Sequence, residues 1–143
     1  MGRDGRFPVN RWARWPAPGL DDFEALAREA FDALPEEFRR LCEGVEIRVK
    51  DFPEEEVIET MDLVSGYDLL GLFEGTGLAQ TGGATWTGQT PNRISLYRRP
   101  ILDYWVGGDD TLDEIIAHVL IHEIGHHFGL SDDDMERIEA RAD

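Results

Sequence analysis

A chain of 143 residues with 41% hydrophobic content suits one domain around one core; it is too short for two and too apolar for a disordered polymer. Four arginines against Asp4 leave +3 on residues 1–18, so the net charge of −16 places −19 on the rest, a balance that argues against a nucleic-acid partner. The single cysteine, Cys42, excludes an internal disulfide and any multi-cysteine metal site; a bound metal would need imidazole and carboxylate ligands, and the cytoplasm fits this usage.

Met1 to Gly19 contains Pro8, Pro16 and Pro18 among glycines and arginines, without helical or strand periodicity. It predicts a flexible leader (residues 1–19) ahead of one domain (residues 20–143). It has no apolar run of signal-peptide length, and 18 uninterrupted apolar residues occur nowhere, so neither secretion nor a membrane span is expected. The cluster Arg11-Trp12-Ala13-Arg14-Trp15 is too short to define an amphipathic helix.

Asp21 and Asp22 then open a helix in which Phe23, Leu26, Ala27, Ala30, Phe31 and Leu34 recur at helical spacing. Pro35 starts a short second helix through Glu36 to Leu41 that stops at Gly44, and Val45 to Val49 alternates like a strand. Pro53 to Met61 is an acidic piece with no element assigned. Leu69 to Phe73 and Arg93 to Tyr97 read as further strands of one sheet. Between them Glu74 to Asn92, rich in Gly and Thr, is long enough to be a functional or mobile loop.

Thr111-Leu112-Asp113-Glu114 has the form of a capping box, and the apolar residues from Ile115 to Phe128 surround the helix axis, which predicts a helix buried on most sides. That helix carries four histidines. His122 and His126 stand one turn apart on one face with Glu123 beside them, the His-Glu-x-x-His arrangement in which two imidazoles reach one metal. In a hydrolase Glu123 would act as general base on a metal-activated water and later protonate the leaving amine.

Catalytic zinc takes three protein ligands, so a third is needed. A left-handed Gly129 would end the helix and turn the chain so that Asp132 returns to the metal. Glu136 and Glu139 stay open as alternatives, and a carboxylate third ligand leaves iron or manganese open beside zinc. His127 projects about 100° from His126 and reads as a structural or surface residue. His118 shares the metal face two turns, ~12 Å, from His126 and reads as structural, with capping or modulation of the site as its most active role.

The run His122-Glu123-Ile124-Gly125-His126-His127-Phe128-Gly129-Leu130-Ser131-Asp132 resembles the His-Glu-x-x-His-x-x-Gly-x-x-Asp variant of the metzincin-type zinc motif. Together with Leu34 to Phe38, Leu70 to Gly75 and Pro91 to Ile101, it makes the chain from about Leu20 onward resemble the small bacterial minimal zincin-like metallopeptidases.

The resemblance implies an α+β fold: a compact zincin-like domain with a small mixed sheet and a buried active-site helix. It also implies one zinc ion on His122, His126 and Asp132, Glu123 as base, and a peptide or protein substrate. The chain departs from full metzincins in lacking their downstream subdomain with its methionine turn, since Met135 lies too close to Asp132 for that role.

In zincins a rim strand pairs with extended substrate, and Ile94 to Tyr97 is the candidate here. Arg93, Arg98 and Arg99 are weighed as substrate-carboxylate binders against surface ion pairs and receive no catalytic role. The competing reading of the whole chain is a non-catalytic metal-binding or interaction module on the same fold. The sequence leaves the oligomeric state open.

Overall fold

The computed structural model describes residues 11–75 and 92–141. After a 3-10 turn at Arg11–Arg14 come α1 (Leu20–Asp32), α2 (Glu36–Leu41), β1 (Glu46–Lys50) and α3 (Glu55–Thr60). A second 3-10 turn at Gly66–Asp68 precedes β2 (Gly71–Glu74), and β3 (Arg93–Tyr97), α4 (Arg98–Val106), α5 (Leu112–His127) and α6 (Asp132–Arg141) follow. This is the α+β domain with a small mixed sheet expected from the sequence. No described helix is long and apolar enough to cross a membrane.

Half of the expected leader and nearly all of the Glu74 to Asn92 loop lie outside the described residues. Within the leader, the Pro18 carbonyl accepts a 2.6 Å hydrogen bond from Arg98 Nε, which joins the start of α1 to α4.

The sheet order is β1-β3-β2. β3 runs parallel to β1, with Ile47 opposite Ile94 and Val49 opposite Leu96, and antiparallel to β2, with Phe73 opposite Ile94. This corrects the expectation for Ile94 to Tyr97. That segment is the central strand, paired on both sides and buried from Ile94 to Tyr97, so it offers no free edge to a substrate. Its run of apolar residues reflects burial on both faces, which sequence alternation alone does not separate from a half-exposed edge. Among the described residues β1 and β2 are the edges.

α5 forms the centre of the core. Ile116, Leu120, Ile121 and Ile124 are inaccessible to solvent and pack with Phe23, Phe38, Ile94, Leu96, Ile101 and Met135. The capping box forms as expected: Thr111 Oγ accepts from the Glu114 amide, and Glu114 returns a carboxylate to the Thr111 amide at 3.0 Å. α1 packs against both α5 and β1.

Three helices arise where the sequence suggested none. α3 and α4 are short, and Pro100 fits the first turn of α4, where its missing amide leaves no helical bond unmade. α6 carried a readable signal, because Ser131 and Asp134 form a capping pair. The Ser131 hydroxyl accepts from the Asp134 amide at 3.1 Å, and the Asp134 carboxylate accepts from the Ser131 amide at 3.4 Å. The three arginines flanking β3 settle into ion pairs: Arg93 with Glu74, and Arg98 and Arg99 with Asp51.

Candidate metal and catalytic site

The C-terminal half of α5 presents His118, His122 and His126 as a ladder at four-residue spacing, so the three imidazoles rise along one helical face. Adjacent rings touch: the centroids of His118 and His122 are 4.0 Å apart, those of His122 and His126 5.8 Å. The helix ends at Phe128, and Gly129 takes φ +79°, the left-handed turn expected of it. The reversal is fixed by the Leu130 amide, which donates to the Gly125 carbonyl at 2.9 Å. Asp132 then opens α6 with Oδ1 4.0 Å from His126 Nε2.

The joint between α5 and α6 depends on Gly125. A Cβ at that position would lie 2.5 Å from the sulfur of Met135, which is fully buried. The glycine inside the histidine motif therefore lets α6 close onto α5. Met135 is the apolar floor of this joint, a part that sequence spacing does not reveal.

α6 also delivers a carboxylate. Glu139 Oε2 lies 2.8 Å from His118 Nδ1, and Oε1 lies 3.3 Å from His122 Nε2. Among the described residues, the one grouping of three ligand atoms within 4.8 Å of each other is His118, His122 and Glu139. Of the three sequence-derived ligands, His126 and Asp132 face one another while His122 turns toward Glu139. Because His122 stands one turn from each neighbouring histidine, its side-chain torsions decide which set it joins.

Both sets have donor chemistry that suits zinc, two imidazoles and one carboxylate. Bonds of ~2.0–2.1 Å in tetrahedral array would hold ligand atoms ~3.3 Å apart. The His122–Glu139 pair stands at that separation and the His126–Asp132 pair slightly beyond it. The residues present fit a divalent transition metal.

Glu123 points elsewhere. Burial raises its carboxyl above the ordinary value, opposed by the neighbouring His126 and by the backbone amide of Phe73 bonded to it. The sheet explains that amide. The Tyr97 amide donates to the Leu70 carbonyl, so Leu70, Leu72 and Glu74 turn their backbone groups toward β3, whereas Gly71 and Phe73 turn theirs to the opposite side of β2, an edge of the sheet among the described residues. Glu123 stands at that edge.

His127 stacks on Phe73, with centroids 3.8 Å apart and planes 18° from parallel, and meets Phe128 edge-on. Its Nε2 is buried without a protein hydrogen-bond partner among the described residues, and burial lowers its pKa from 6.5. The ring is thus a packing element that ties β2 to α5, in line with a structural role.

A group whose pKa falls on folding stabilises the fold above its unfolded pKa and loses that contribution as the pH drops. His127→Phe keeps the stack and removes the orphan nitrogen. It is expected to raise stability by about 1 kcal/mol, and thermal melts at pH 8 and pH 5 should show the larger gain at pH 5.

Residues 42–142 match the family model described as zincin-like metallopeptidase. The match begins at Cys42, so α1 and the Leu34 to Phe38 segment precede it. No curated protein sequence matches the chain.

Proposed function

From the premise that this chain belongs to the zincin-like metallopeptidase family, we propose that it is a zinc-dependent peptidase with Glu123 as general base and His122, His126 and Asp132 as metal ligands. The observation that carries this reading is the position of Glu123 beside His126 and against the outward-facing backbone of β2. A metal site needed only for stability has no use for a carboxylate there.

His122, His126 and Asp132 would hold a divalent cation, which would supply Lewis-acid polarisation of the scissile carbonyl and a more acidic attacking water. Glu123 accepts the proton of that water and delivers it to the departing amine. Its apolar surroundings raise its basicity toward the range in which a carboxylate performs both transfers. β2 replaces β3 as the edge strand that would receive extended substrate; Gly71 is buried and the Phe73 amide is held by Glu123, so the outward-facing Phe73 carbonyl is the backbone group offered to a peptide beside Glu123. The cytoplasm is the compartment we assign, on cysteine usage, and the charge of −16 favours peptide over nucleic-acid partners.

The test is hydrolysis of a diverse peptide library by the zinc-loaded protein. Cleavage should stop on chelation and return with zinc. If no peptide is cut, and chelation instead unfolds the chain, the metal is structural and the peptidase reading is lost.

A further inference from the structure

The histidine ladder has one more rung than a peptidase site uses. His118 stands one turn before His122, and Glu139 reaches both from α6, with Oε2 2.8 Å from His118 Nδ1 and Oε1 3.3 Å from His122 Nε2. We propose that His118, His122 and Glu139 form a second divalent-metal seat, which shares His122 with the catalytic set of His126 and Asp132 and so competes with that set for its third ligand.

Three features support the seat. The ligand atoms come from two packed helices and lie within 4.8 Å of one another, so no backbone movement is needed to gather them around an ion. Two imidazoles and one carboxylate are a donor set that binds zinc with a coordination position left open. The seat also faces solvent: His118 and Glu139 border a cavity of about 450 Å³ shared with Asp110, Glu114 and Tyr104. The two further carboxylates raise the local concentration of cations at its mouth.

Competition follows from the single shared ligand. Only one of the two sets can have three protein ligands at a time, because His122 Nε2 serves either Glu139's ion or the ion of His126 and Asp132. An ion on the outer seat leaves the inner one with two ligands and deprives Glu123 of a well-held partner. That consequence rests on the peptidase reading; the seat itself does not.

Cobalt(II) titration of the metal-free full chain tests this, with ligand-field absorption reporting coordination and circular dichroism confirming the fold. The His126→Ala/Asp132→Ala variant should still bind one Co²⁺ in a four-coordinate environment. Adding His118→Ala or Glu139→Gln should weaken that binding by more than the ~10–100-fold that loss of an outer-shell partner produces. Should the inner-site variant fail to fold, the wild type decides the matter: its one tightly bound equivalent divides between the two sets, so His118→Ala/Glu139→Gln should change its ligand-field spectrum.

The seat is refuted if the folded inner-site variant binds no Co²⁺, if its binding ignores both outer substitutions, or if the wild-type spectrum is unchanged by them. Refutation leaves the peptidase reading intact wherever the zinc-loaded wild type still cleaves peptides. Loss of cleavage with a working outer seat would sink the peptidase reading alone.

Discussion

Glu123→Gln is expected to lower peptide hydrolysis by ~10²–10⁴-fold, the usual contribution of a general acid–base group, while metal content stays stoichiometric. Glutamine keeps the size and the acceptor for the Phe73 amide but cannot take up a proton. Retained cleavage would remove Glu123 from the mechanism; lost metal would move it into the ligand set.

The same substitution makes a second prediction with opposite sign, on stability. Burial raises the Glu123 carboxyl above 4.5, so the fold favours its protonated form. Its contribution is fully present below the unfolded pKa and is lost as the pH rises through the folded one. In the metal-free protein Glu123→Gln should therefore melt at a higher temperature than wild type at pH 8, and the difference should vanish near pH 4. A substitution that stabilises the chain while abolishing hydrolysis separates catalytic from structural loss, as expected where a site holds a charge its surroundings disfavour.

The other large effect concerns the α5–α6 joint. Met135→Ala is expected to cost ~2–5 kcal/mol, the range for emptying a fully buried aliphatic site. Gly125→Ala sets two effects against each other. Alanine gains ~1 kcal/mol over glycine in a helix interior. Its Cβ would also meet the Met135 sulfur at 2.5 Å, and overpacking costs ~1–3 kcal/mol.

Because Met135 is enclosed and cannot swing into solvent, the clash should win and Gly125→Ala should destabilise. In the Met135→Ala background its sign should reverse. Urea denaturation of the two single variants and the double variant measures the coupling, expected at ~0.5–3 kcal/mol for residues in direct contact. Independent, additive effects would show that the joint does not depend on this contact. Gly125→Ala should also weaken zinc binding, since any opening of α6 moves Asp132 and Glu139 away from the histidines.

Much of the architecture was legible because it is local. Thr111 and Glu114 announce the start of α5, the apolar residues around its axis announce its burial, and Gly129 announces its end; each depends on neighbours within about four residues. The capping pair of Ser131 and Asp134 announces α6 in the same way. Strand order was not legible. An apolar segment such as Ile94 to Tyr97 fits a central or an edge position equally well, and pairing with both β1 and β2 makes it central.

What the sequence alone determined is the spacing along α5: two histidines and a glutamate at intervals that put both imidazoles on one helical face, and a glycine that turns the chain so that Asp132 comes within 4.0 Å of His126. Tertiary structure decided what lies opposite that face. Only the packing of α6 on Gly125 brings Glu139, 17 residues beyond His122, into contact with His118 and His122, and only the sheet's hydrogen-bond alternation puts the Phe73 amide on Glu123. Helical periodicity fixes the directions of side chains within one element, whereas contacts between elements depend on crossing geometry and close packing, to which many distant residues contribute at once.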